Sequence, residues 1–192
     1  MRKMKERNFS GTVNPEITQR EIENRKIARA SAADGMVLLK NENGFLPLSN
    51  QTKIALYGAG AAKTIKGGTG SGDVNERSSV SICEGMKQAG FEITNESWLR
   101  DYEACYQAAR IVWRDDILKK HRASADVTGF TNIYVATPFQ IPAGRAVDKT
   151  DADTAFYVIS RIAGEGADRF AKEGDYYLTR EETWRSILTS VV

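Results

Sequence analysis

The chain has 192 residues, 41% of them hydrophobic, which is enough for one ordinary domain with a buried core. Its charges nearly cancel to a net +2, and this argues against nucleic acid as the main partner, since phosphate binding needs clustered positive charge. No apolar run reaches the roughly 18 residues of a membrane span, and one His with two Cys at no ligand-like spacing leaves little material for a zinc site.

Residues 1–17 are polar and irregular. The basic start from Met1 to Arg7 reads as a solvated terminus. No apolar stretch follows it, so no secretory signal is expected and a cytoplasmic location is. Thr18 and Glu21 have the spacing of a capping box and open a helix running to about Asp34, punctuated by Gly35. Met36-Val37-Leu38-Leu39 is expected to be a buried strand or a last helical turn. A turn follows at Asn41–Gly44.

Lys53 to Tyr57 reads as a fully buried parallel strand. Glycine-rich sequence then runs from Gly58 to Gly72. Gly58-Ala59-Gly60 imitates a dinucleotide fingerprint, but the third glycine position is Lys63. Ala62-Lys63-Thr64 imitates the end of a phosphate loop, but Ala62 and Tyr57 stand where that loop needs glycine. No cofactor is expected. Helical spacing covers Val80 to Ala89 and stops at Gly90, and Phe91–Thr94 alternates like a second strand.

A long helix is expected from Glu96 to Arg122, with a stripe of Leu99, Tyr102, Tyr106, Ala109, Trp113 and Ile117. Cys83 and Cys105 both fall in helical stretches, where they read as small buried thiols and not as a disulfide. Residues 123–151 are poorly patterned, with Asn132–Val135 as a possible edge strand. Ala155–Ser160 reads as the best buried strand. A loop from Arg161 to Tyr177 follows, and Thr179 with Glu182 forms another capping box opening a helix. Strand and helix alternate throughout, which is the order of an α/β domain: an open, mainly parallel sheet with helices on both faces, expected here to be incomplete at its carboxyl end.

Two loops leave the carboxyl ends of strands, where such sheets bind ligands. The first, Gly67-Gly68-Thr69-Gly70-Ser71-Gly72-Asp73-Val74-Asn75, has four glycines in its first six residues, so backbone and small hydroxyls can approach a ligand closely; a flexible linker is the plain alternative. The second holds Glu165 between Gly164 and Gly166, a setting that presents a carboxylate with little steric cover, although a loop Glu is more often merely solvated.

Three ordered segments resemble glycoside hydrolase family 3. They are Ala28–Leu48 around Met36-Val37-Leu38-Leu39-Lys40-Asn41, then Gly67–Asn75 with Val80-Ser81 and Glu84-Gly85, then Ile159–Leu178 around Gly164-Glu165-Gly166-Ala167-Asp168-Arg169. The resemblance implies an αβα-sandwich domain over residues 18–192, a partial one, of the kind found first in the chain in domain-inverted bacterial β-glucosidases. It implies that Glu165 is the catalytic acid/base and that Gly70, Ser71 and Asp73 border the sugar pocket. Arg161, Asp168 and Arg169 are expected to shape the acid/base loop. The nucleophilic Asp would lie on a barrel domain that this sequence lacks, so a β-linked glucoside is the expected substrate and the chain alone is expected to be inactive. A non-catalytic module binding a sugar or phosphate is the alternative. The incomplete sheet is expected to leave an edge open to self-association.

Overall fold

The computed structural model describes residues 16–49, 52–70, 72, 74, 78–124, 129–142, 146–164 and 168–183. The chain divides into two compact units at Pro47 and Leu48. None of the helices in the described residues is long and apolar enough to cross a membrane.

In the first unit α1 spans Gln19–Asp34. Thr18 and Glu21 close the capping box in both directions, as their spacing implies. The helix buries none of its residues, and Ile22 and Ile27 stay exposed. Met36–Leu39 corrects the sequence expectation. It is neither strand nor helical turn, and Leu39 is 92% exposed. A strand needs an edge to pair with, and this run has no ladder partner among the described residues. Asn41 then organises the turn, its side chain donating to Leu46 O at 2.9 Å and accepting from Leu46 N at 3.0 Å.

The second unit is an α/β domain built on an open parallel sheet of three strands, in the order β2-β1-β3. Strand β1 (Lys53–Tyr57) lies in the middle, with β2 (Glu92–Ile93) on one side and β3 (Thr154–Tyr157) on the other. Successive side chains of β1 point to opposite faces, yet Ile54, Ala55, Leu56 and Tyr57 are all at most 1% exposed, so both faces are covered. The run 155–160 is less buried than its composition suggests. Ala155 and Ile159 are exposed, because β3 pairs on one side only among the described residues and Ile159 lies beyond its end.

The short β2 is extended by a side chain. Thr94 donates to Ile54 O at 3.0 Å, and the buried Asn95 amide then accepts from Leu56 N at 2.9 Å and donates to Leu56 O at 2.8 Å. An Asn one residue before a helix normally caps it, but this one makes no side-chain cap and continues the ladder instead.

Four-residue α2 (Ala59–Ala62) and then α3 (Ile82–Gln88) connect β1 to β2. Ser81 and Glu84 form a second full capping box on α3. Helix α4 (Glu96–Ala123) matches the expected span. It buries Trp98, Leu99, Tyr102 and Tyr106 in the core around the sheet and also buries Ile117, while Trp113 is half-buried. Trp98 stacks on Tyr102 at 5.5 Å and meets Tyr57 edge-on at 5.3 Å, geometries worth about 0.5–1.5 kcal/mol each beyond the area buried.

Residues 132–135 are not an edge strand. They lie in α5 (Phe130–Ala136), where Phe130 and Tyr134 stand one turn apart with stacked rings 6.3 Å apart, and Tyr134 meets Trp113 of α4 at 5.5 Å. The segment beyond α5 is strapped down by polar tips of core aromatics. Trp113 Nε1 donates to Thr137 O (2.6 Å), Tyr102 Oη to Pro142 O (2.8 Å), Trp98 Nε1 to Ala146 O (3.0 Å) and Tyr57 Oη to Asp148 O (2.5 Å). Each of these aromatics thereby satisfies its own polar atom and fixes a carbonyl of an otherwise irregular stretch. Both cysteines are free, but Cys105 is exposed and Cys83 only half-buried, so neither is the buried thiol expected.

Candidate functional site

Strand order reverses beside β1: the chain passes from β1 to β2 on one side and then crosses to β3 on the other. The crevice at the carboxyl ends of β1 and β3 is therefore the switch point at which open α/β sheets bind ligands. The two exits run unusually close together. Gly60 N donates to Val158 O at 3.1 Å. A Cβ at Gly58 would lie 2.5 Å from Val158 O, and one at Gly60 2.6 Å from Val158 Cγ1. The glycines that imitate a dinucleotide fingerprint thus have a packing use.

Further out, the glycine-rich loop and the loop after β3 are stitched together. Thr69 N donates to Ala163 O at 3.2 Å, and Thr69 and Gly164 form a parallel β-bridge. A Cβ on Gly68 would sit 2.2 Å from Ala163 O, and one on Gly67 would sit 2.2 Å from Gly72 O. No side chain fits at either position, so glycine is what lets the loop fold on itself and dock. Lys63, the phosphate-loop imitation, is taken up by structure: its ammonium lies 3.4 Å from Glu103 and 5.9 Å from the centre of the Tyr106 ring.

The joined loops open onto a cavity of about 640 Å³, within the usual range for small-molecule sites. Gly70, Arg161, Asp168 and Arg169 all line it, together with Thr69 and Gly164. The structure thus gathers four of the residues singled out by sequence. Glu165, Ser71 and Asp73 lie outside the described residues; their described neighbours Gly164 and Gly70 line the cavity. Trp113 of α4 also lines it, together with Tyr134, Phe139 and Pro142 from the poorly patterned stretch 123–151.

The arginines pin the second loop. Arg161 donates through Nε to Asp175 O at 2.8 Å and through Nη1 to Ser160 O at 2.9 Å, and its guanidinium forks onto Glu182 with Nη1–Oε1 at 2.7 Å. Arg169 donates to Ile162 O at 3.2 Å and to Asp175 O at 2.9 Å, and pairs with the Asp175 carboxylate at 2.9 Å. Asp168 is exposed and lines the cavity. The partners Asp175 and Glu182 are not among the site residues that the sequence marks. The available signal was that two arginines in one loop require carboxylates. The sequence marks Glu182 only as a cap, and it is that too, with Thr179 Oγ1 accepting from Glu182 N at 3.2 Å. The helix expected after this box does not start within the described residues: Arg180–Glu182 form a turn, and residues from 184 on lie outside the described residues.

The electrostatics follow from this packing. Burial alone would push the Glu182 carboxyl up, but hydrogen bonds from Arg161 and Thr179 outweigh it and hold the group below its ordinary value. The paired carboxylate correspondingly holds the Arg161 guanidinium up.

Comparison with known proteins agrees with this geometry. The profile of the glycosyl hydrolase family 3 C-terminal domain matches residues 36–186. Beta-glucosidase A of Butyrivibrio fibrisolvens is 32% identical over 154 residues, which cover 79% of this chain and 16% of that protein. The beta-glucosidase of Ruminococcus albus is 31% identical over 166 residues, covering 83% of this chain and 15% of the relative. Among solved structures, beta-glucosidase 3B from Thermotoga neapolitana in complex with alpha-D-glucose superimposes with a TM-score of 0.54 at 34% identity, over 86% of this chain and 21% of that one. A beta-glucosidase from Paenibacillus barengoltzii gives a TM-score of 0.60 at 25% identity, over 86% of this chain and 17% of its own. The chain thus spans about a sixth to a fifth of the length of these relatives. With an open parallel sheet, a cleft at its switch point and a profile match across most of its length, it belongs to glycoside hydrolase family 3 and carries that family's C-terminal αβα-sandwich domain.

Proposed function

We propose that this domain supplies the acid/base half of a retaining β-glucosidase site, with Glu165 as the proton-transferring carboxylate and Gly70, Ser71 and Asp73 along the border of the sugar pocket. The observation that carries this reading is the Thr69–Gly164 bridge. It joins the glycine-rich loop to the residue before Glu165, on one cavity at the switch point of the sheet. The substrate is a β-linked glucoside. In the first step Glu165 gives its proton to the glycosidic oxygen as the C1–O bond breaks, while a carboxylate on the opposite face bonds to C1. In the second step Glu165 takes a proton from water as that water displaces the carboxylate. The two carboxylates must stand about 5 Å apart. The second is an Asp on a family 3 barrel domain. Residues 18–192 then act only together with that barrel.

Two measurements test this. The purified 192-residue protein should not hydrolyse nitrophenyl glucoside, because general acid–base assistance is worth only about a hundred- to ten-thousandfold and replaces no nucleophile. Turnover by the chain alone would sink that part. In an enzyme that also carries the barrel, Glu165→Ala should slow disaccharide cleavage by at least about a hundredfold. It should slow aryl glucosides with good leaving groups much less, and azide should rescue those. A silent Glu165→Ala on a disaccharide refutes the assignment.

A further inference from the structure

We propose that Glu182 and Asp175 are positioning residues for the loop 161–177, acting through Arg161 and Arg169. Both guanidinium groups donate to a single acceptor, the Asp175 carbonyl, at 2.8 and 2.9 Å. Glu182 takes the outer fork of Arg161 through both of its oxygens. The Asp175 carboxylate takes Arg169 at 2.9 Å and the Phe170 N–H at 2.7 Å. Arg169 also reaches back to Ile162 O. The described backbone that enters and leaves residues 165–167 is therefore held on both sides, and the Thr69 bridge holds it from a third direction.

The strength of this clasp comes from its burial. The Arg161 and Glu182 side chains are only 20% and 11% exposed. A fork-to-fork pair so placed is both stronger and geometrically stricter than a surface ion pair, and removing one charge leaves the other uncompensated. Glu182 has a second task, because its Oε2 also accepts from Thr179 N at 2.9 Å as a capping box requires. The two tasks can be separated. A capping box accepts Glu or Gln, whereas the fork needs the full negative charge. The purpose of the clasp rests on the reading of Glu165 as acid/base; the clasp itself does not.

The test compares Glu182→Gln, which keeps the cap and removes the charge, with Thr179→Val, which removes the hydroxyl cap and keeps the charge. Both are made in the full 192-residue chain. Backbone hydrogen exchange is followed at Thr69 and Phe170, and the carboxyl carbon of Glu165 is titrated by NMR. In Glu182→Gln, exchange at these amides should rise about tenfold or more while β1 stays protected, and the Glu165 carboxyl resonance and its midpoint should move. Thr179→Val should leave both readouts near the parent. The proposal is overturned if Glu182→Gln leaves them unchanged or if Thr179→Val reproduces its effect. Should Glu182→Gln expose β1 as well, Asp175→Asn provides the same two readouts at the Arg169 end, and unchanged values there overturn the proposal. None of these signals needs hydrolysis, so failure of the azide test for Glu165 and failure of the clasp are seen separately.

Discussion

Gly68 and Gly85 show how two residues of one type answer to different forces. A methyl group at Gly68 would overlap Ala163 O at 2.2 Å, a contact made by backbone on both sides that can relax only if the two loops part. At Gly85, in α3, the nearest atom to a new methyl is Val80 Cγ1 at 3.8 Å, an ordinary contact. Gly68→Ala should therefore destabilise the domain by about 1–3 kcal/mol, the usual cost of overpacking. Gly85→Ala should stabilise it by about 0.5–1 kcal/mol, because only the backbone entropy of the unfolded chain changes. Urea denaturation of the three proteins checks both. A Gly68→Ala midpoint at or above the parent would show that the Thr69–Ala163 junction is not a tight contact. The glycine-rich pattern announced close backbone approach, but not to what. Sequence spacing cannot say that the partner is a carbonyl almost a hundred residues away. Asn95 was opaque for a similar reason, since its use as a ladder extension depends on where β1 happens to end its pairing with β2.

The legible elements were those whose signals are local. Capping boxes at Thr18 and Thr179 and the three-and-four stripe of α4 follow from contacts within a turn or two, and each has the expected hydrogen bonds or burial. The misread elements depend on partners distant in sequence. Asn132–Val135 looks like a strand because short apolar runs carry no period, and packing of Tyr134 on Trp113 accompanies the helix. Glu182 belongs to both kinds, being a local cap and a distant clasp, and the second role makes loop order depend on pH. Its carboxyl is held below the ordinary value when folded. The clasp's contribution is thus complete above the unfolded carboxylate value of about 4.3 and is lost as pH falls through the lower folded value. Arg161 stays charged throughout, so no opposing titration arises from its side of the pair. Limited proteolysis of residues 161–177 from about pH 6 down to pH 3 should accelerate at the acid end in the parent. Glu182→Gln should cleave faster at neutral pH and show a flatter profile, and a profile of undiminished steepness in that variant would assign the acid step to another group.

At the scale of the whole molecule, the sheet poses one physical problem. β1 has both hydrogen-bonding edges occupied, whereas β3 is paired on its β1 side only among the described residues. An unpaired strand edge is a template for another strand, and β3 lacks the Lys and Pro that natural edges use to discourage pairing. It also carries an exposed alanine, Ala155, with the exposed Ile159 just beyond its end. The purified chain should therefore associate as its concentration rises, through β3 against β3 of a second copy. Ala155→Lys adds a charge at an exposed position, where a surface substitution ordinarily changes stability by less than about 0.5 kcal/mol, so it tests the edge without unfolding the domain. Sedimentation velocity over about a thirtyfold range of concentration should show the parent moving from monomer toward larger species and Ala155→Lys staying close to monomer. A parent that remains monomeric throughout would mean that this edge is protected. Equal association of both proteins would move the contact to another surface, of which the exposed run Met36–Leu39 in the first unit is the most apolar candidate.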